Sequence, residues 1–157
     1  MRLLIIAEKP SIKKVIEDGF EKIKDSIDYD IDVVTAVCFV TSNEDANQFH
    51  IDTKDFRSFS LKSREVPENY KIITDMDYHK IAEERIASLI RDNKYDLVVN
   101  ACDPDTAGEL MFDFTRETCG LLDYKTINLY LEGFYSEYYY AEFLKLGHKA
   151  KAIITEE

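Results

Sequence analysis

Leu97-Val98-Val99-Asn100-Ala101-Cys102-Asp103-Pro104-Asp105-Thr106-Ala107-Gly108-Glu109 is an apolar run that ends abruptly in acid. A second apolar run, Leu3-Leu4-Ile5-Ile6-Ala7, ends in the same way on Glu8. Short runs of this kind suit strands buried on both faces, the environment of a parallel sheet. In open parallel sheets the ligand crevice lies beyond the carboxyl ends of the strands, where strand order reverses. Glu8, Asp103 and Asp105 all fall at that end. Proline fixes one φ angle within Asp103-Pro104-Asp105, and residues two apart in extended chain project to one side, so both carboxylates aim at one point. Crowded carboxylates repel, and a divalent cation relieves the repulsion. Hard oxygen ligands with room for water suit Mg²⁺ or Mn²⁺ better than Zn²⁺. The same acids also suit helix caps, with Asp105 or Thr106 capping a helix that begins near Ala107, and Glu8 and Lys9 as solvated turn residues. A calcium loop starting at Asp103 fails on spacing, because it wants an oxygen ligand at Ala107 and a glutamate at Phe114.

The pattern outside these two runs alternates strand and helix. Ile12, Val15, Ile16, Phe20 and Ile23 recur at helical spacing after Glu8-Lys9-Pro10-Ser11. Residues 32–40 are rich in β-branched side chains and predict a second strand. Residues 41–67 lose periodicity and read as a less regular excursion, and residues 71–74 suit a short strand. Ile81, Ala82, Ile86, Leu89 and Ile90 predict one face of a helix ending near Asn93. A further helix is expected over 107–119, with Leu110, Met111 and Phe114 inward and Gly120 as its stop. Residues 126–131 read as a strand and 136–146 as a helix with Ser136 as N-cap. This order predicts one α/β domain over 1–157, with a mainly parallel sheet and helices on both faces.

Composition narrows the function classes. The 157 residues are 45% apolar with 9 Phe and 10 Tyr, enough to cover a sheet on both sides. The 20 Lys and Arg against 31 Asp and Glu leave a net charge of −11. Such a charge opposes long-range attraction to nucleic acid phosphates, so any nucleic acid contact is local, metal-assisted or made by another component. Cys38, Cys102 and Cys119 lack CxxC spacing, and neither a signal peptide nor a long apolar span is evident, which reads as a cytoplasmic protein without membrane contact. His50, His79 and His148 have no i, i+4 partner and argue against zinc.

Taken together, Leu4-Ile5-Ile6-Ala7-Glu8-Lys9-Pro10-Ser11 and Asp103-Pro104-Asp105-Thr106-Ala107-Gly108-Glu109 resemble the two signatures of the Toprim domain. The version resembled is the one that opens type IA DNA topoisomerases of the topoisomerase III kind. Weaker similarities lie in Thr35-Ala36-Val37-Cys38-Phe39-Val40, in Val66-Pro67-Glu68-Asn69-Tyr70 and in the stretch from Asn128 to Glu137, so the resemblance spans nearly the whole chain. It implies a Rossmann-like sheet, Mg²⁺ as cofactor with Mn²⁺ as its substitute, and DNA as partner with RNA as the alternative. It further implies Glu8 as general acid and base and metal ligand, Lys9 as the cation on the scissile phosphate, Asp103 and Asp105 as metal ligands, and Glu109 as a supporting acid. Two departures stand out: Thr106 and Ala107 replace an arginine and a glutamate of the family's loop, and Cys38-Phe39 replace its usual glycine and histidine.

Type IA topoisomerases cleave with a tyrosine on another domain. None of the tyrosines here stands in a matching context, and Tyr138, Tyr139 and Tyr140 suit packing on the last helix. Strand passage by this chain alone is therefore not expected, and the resemblance implies that a further domain or a partner protein supplies the tyrosine. Three functions stay open: a topoisomerase-type Toprim domain, a free-standing Toprim nuclease or nucleotidyl transferase, and a binding module that has lost catalysis.

Overall fold

The structure is a computed structural model, and it describes residues 1–37, 77–131 and 136–156. The expected excursion at 41–67, the short strand at 71–74 and the elements around Cys38 and Val66 lie outside these residues. The described elements are β1 (Arg2–Ala7), α1 (Pro10–Ile23), a 3₁₀ turn (Lys24–Ser26), β2 (Asp30–Thr35), α2 (Asp77–Asp92), β3 (Leu97–Ala101), α3 (Thr106–Thr118), β4 (Thr126–Asn128) and α4 (Ser136–Thr155).

The four described strands run parallel in the order β2-β1-β3-β4, so the chain has the expected α/β, Rossmann-like architecture. From β1 the chain steps to β2 on one side, and from β3 it steps to β4 on the other. Strand order thus reverses between β1 and β3. Right-handed crossovers taken in opposite directions place their helices on opposite faces. Accordingly α1 and α4 cover one face, where Leu3, Ile5, Leu97 and Val99 meet Ile16, Phe20, Phe143 and Leu146. Helices α2 and α3 cover the other, where Leu4, Ile6 and Val98 meet Ile86, Leu89 and Phe112. Burial on both faces explains why β1 carries no polar residue from Leu3 to Ala7, all of which are fully buried.

Several boundaries differ from the sequence reading, each for a physical reason. β2 begins at Asp30 because it pairs there with Arg2, and Asp32 is tolerated because it accepts hydrogen bonds from Arg2 Nε at 2.9 Å and the Tyr95 hydroxyl at 2.7 Å. β4 stops at Asn128, short of the expected 131, because its partner β3 ends at Ala101. Helix α4 continues to Thr155 through Gly147, whose role is close packing: a Cβ there would sit 2.8 Å from the Tyr29 ring. In α2, Ile81 is 63% exposed, since the buried line runs through Ala82, Ile86 and Leu89. In α3 the innermost line is Gly108, Phe112 and Thr115, with Met111 and Phe114 packed beside it. Gly120 ends α3 as expected. Its φ is +70°, and Leu121 N–H bonds Arg116 C=O at 2.8 Å, the Schellman closure that glycine permits. On α4, Tyr139 is buried as the packing reading expects, Tyr140 is 41% exposed, and the Tyr138 side chain lies outside what the structure describes.

One aromatic cluster joins α1, α4 and Tyr29, the residue ahead of β2. The Phe20 ring lies 5.9 Å from that of Tyr29 and 5.5 Å from that of Phe143, and the Tyr29 hydroxyl donates to Phe143 C=O at 2.6 Å. Phe143 is fully buried, so Phe143→Ala is expected to cost about 3–5 kcal/mol in urea denaturation.

Alkaline pH tests the same core. Burial, with Asp28 adding to it, pushes the Tyr29 phenol above its ordinary value of 10.0, and burial followed by the hydrogen bond to Asp32 does the same for Tyr95. Above about pH 10 the unfolded chain releases these protons while the folded chain keeps them, so the unfolded state binds fewer protons and stability falls as pH rises. Urea midpoints followed by circular dichroism should drop between about pH 9 and 11, and Tyr29→Phe with Tyr95→Phe should flatten that drop.

Candidate functional site at the β1 and β3 tips

Ala7 pairs with Ala101 at the carboxyl ends of β1 and β3, so the next residues of each strand face one another where strand order reverses. Glu8 is the first residue past β1 and is only 9% exposed. A buried carboxylate needs compensation. It receives it from the Asp103 backbone N–H, which donates to Glu8 Oε2 at 2.9 Å, and from Lys9 Nζ, 3.5 Å from Oε1. The same ammonium lies 3.9 Å from Asp103 Oδ2. Glu8 and Asp103 thus share one cation, the exposed Lys9 side chain.

Asp105 has a structural job as well. It is the N-cap of α3, with φ −129° and ψ 175°, and its Oδ1 accepts the Gly108 N–H at 2.8 Å. Its own N–H bonds Asp103 C=O at 2.8 Å, which tightens the loop between the two acids. Of the two cap candidates in the sequence, Asp105 is the one used. Glu109 is exposed in the first turn of α3, where a carboxylate complements the positive helix end. Glu8, Lys9 and Asp103 are therefore brought together, while Asp105 is engaged in the helix. Among the described residues no three His, Cys, Asp or Glu side chains gather closely enough to hold one metal ion.

Gly108 is held to its identity by space. A Cβ at this position would lie 2.0 Å from Asp103 O, a backbone atom that cannot move without shifting the acidic loop. Helix α3 consequently packs its first turn directly on the Asp103 carbonyl. Two polar residues that the sequence reading did not single out also shape this end of the sheet. Asn100 is 2% exposed, and its Oδ1 accepts the Cys102 N–H at 3.0 Å. Thr115, fully buried, accepts the Val37 N–H at 2.8 Å and donates to Met111 C=O at 2.7 Å, tying the exit of β2 to α3. The available signal was an asparagine within an otherwise apolar strand and a threonine on the inner line of a helix.

Among the other chemistry-bearing groups described, Cys119 caps the far end of α3 and Cys102 adjoins the tip with its side chain turned inward. Burial, with Glu83 adding to it, pushes the Cys119 thiol up to about 11, which leaves it protonated at neutral pH. Cys102 is buried against the Ile6 carbonyl. His148 is exposed on α4. A cleft of about 350 Å³ lies between the outer edge of β4 and α4, lined by Asn128, Tyr130, Lys145 and Lys149 among others, and holds none of the expected site residues. No helix among the described residues is long and apolar enough to cross a membrane.

Comparison of the sequence with protein-family models finds no match, and comparison with curated proteins finds none that is similar.

Gly108→Ala is expected to destabilise the protein by about 1–3 kcal/mol, since the clash is with backbone. Asp105→Ala is expected to cost about 1 kcal/mol through loss of the cap. Both follow from thermal denaturation, and only Gly108→Ala should also displace the Asp103 amide resonance strongly.

Proposed function

We propose that this chain is a Toprim-type domain of the type IA topoisomerase kind, which binds Mg²⁺ at the β1 and β3 tips and addresses a phosphodiester of nucleic acid. The observation that carries the reading is the hydrogen bond from Asp103 N–H to the buried Glu8 carboxylate at the reversal of strand order. Glu8 Oε1 and Asp103 Oδ2 both lie within reach of one cationic group, Lys9 Nζ, at 3.5 and 3.9 Å. A pair of hard oxygens sharing a cation fits Mg²⁺, which takes one or two carboxylates and completes its shell with water and phosphate oxygens. The ligand pair is Glu8 and Asp103, with Asp105 holding the loop from the helix cap. When bound, Mg²⁺ neutralises phosphate charge, which offsets the unfavourable net charge of −11 where it matters.

The chain's own residues divide the remaining work. Glu8, fixed through Oε2 by the Asp103 amide, is the carboxylate that takes or returns a proton on a sugar oxygen. Lys9, with its side chain 61% exposed, turns its ammonium toward a phosphate once a second cation shares the carboxylates. DNA is the proposed partner, with RNA as the alternative. Strand passage is not assigned to this chain, because it offers no tyrosine in the required context. Cleavage or joining without a tyrosine is the catalytic alternative, and metal-dependent nicking that disappears in Glu8→Gln would select it.

One observation favours a second reading of a different class. Lys9 already balances Glu8 and Asp103 from within, as it would in a metal-free binding module. The two separate in Lys9→Met. In the metal reading the variant still binds Mn²⁺, whereas in the module reading it loses stability that no divalent cation restores.

Mn²⁺ binding followed by electron paramagnetic resonance, with Mg²⁺ as competitor, is the direct test. Glu8→Gln and Asp103→Asn should each weaken binding by at least about tenfold, the loss that even an outer-shell substitution brings. Wild-type protein that binds neither ion would end the metal reading.

A further inference from the structure

We infer that Asn100 is the positioning residue of the Glu8 and Asp103 tip, an inference that rests on reading that tip as the functional site. Asn100 stands in β3 between fully buried Val99 and nearly buried Ala101, and is itself 2% exposed. A buried amide in such surroundings is costly unless its polar atoms are bonded. Its Oδ1 accepts the backbone N–H of Cys102, two residues on, at 3.0 Å, the Asx-type turn that asparagine forms with its own chain. Its backbone C=O meanwhile accepts Leu129 N–H at 2.8 Å, so the residue is fixed from both sides.

The turn decides how the chain leaves the sheet. Up to Ala101, β3 is in register with β1, and an unbroken ladder would carry the Cys102 amide onward in the strand direction. Captured by Asn100, that amide folds back, and the next one, on Asp103, points across to Glu8 Oε2. The Asp103 carboxylate follows its backbone to within 3.9 Å of Lys9 Nζ. From the far side the loop is stopped by Gly108, against which Asp103 O is packed. Asn100 below and Gly108 above therefore set the one orientation in which the Asp103 amide and the Glu8 carboxylate meet.

Asn100→Thr and Asn100→Val test this, since the two replacements match in shape and differ in the hydroxyl that can accept the Cys102 amide. Amide hydrogen exchange by NMR at matched global stability is the readout. Asn100→Val should speed exchange at Cys102 and Asp103 by about tenfold, the worth of one lost hydrogen bond, and leave Val98 and Val99 unchanged. Asn100→Thr should restore protection and the Asp103 amide shift. Equal exchange at Cys102 and Asp103 in the two variants overturns the inference. So does wild-type protection at Asp103 in Asn100→Val. Mn²⁺ added to the wild type reports separately on the metal reading: absence of line broadening at Asp103 sinks that reading, while the exchange data still decide the role of Asn100.

Discussion

The buried carboxylate of Glu8 is the constraint around which this end of the molecule is organised. A carboxyl group with 9% exposure at the tip of a central strand is tolerated only where donors converge on it. The Asp103 amide and the Lys9 ammonium supply them, one from the adjoining strand and one from the next residue. Because the amide donor belongs to a loop, the loop must be rigid, and three separate contacts make it so: the Asn100 turn, the Asp105 cap and the Gly108 packing. A requirement of one side chain thereby fixes the path of the segment from Asn100 to Glu109.

The rest of the fold follows from the same central strand. From Leu3 to Ala7, β1 is fully buried, flanked by β2 and β3 and covered by helices on both faces, so a polar side chain at these positions would lose its water without gaining a partner. The pole opposite Glu8 is closed by a second polar cluster, in which Arg2 and the Tyr95 hydroxyl converge on Asp32, and the Arg2 guanidinium lies 5.9 Å from the Tyr95 ring centre. The aromatic cluster of Phe20, Tyr29 and Phe143 fills one face between the two poles. Each polar cluster sits where strands end, and the apolar layers lie between them.

Much of this was legible in the residues. The apolar runs that became β1 and β3 are hard to read otherwise, since five consecutive buried positions suit no surface helix or edge strand. Gly120 announced the end of α3 because the left-handed turn there calls for glycine. Legibility failed where tertiary contacts overrode local pattern. Gly147 resembles a helix stop, but the ring of Tyr29, far away in sequence, needs its missing side chain. Asp105 reads equally as ligand and cap, and its capping role depends on the position of the Gly108 amide, which no local pattern gives. The roles of Asn100 and Thr115 depend on partners that no periodicity reveals, an amide at a strand exit and another from a different strand.

The direction of β1 also has a practical consequence. Its six residues rise about 3.3 Å each, so Arg2 and Glu8 stand about 20 Å apart at opposite poles. A fluorophore, surface linker or affinity handle attached ahead of Met1 emerges on the side of the Arg2 and Asp32 cluster. Immobilised that way, the molecule presents the Glu8 and Asp103 tip outward, away from the support.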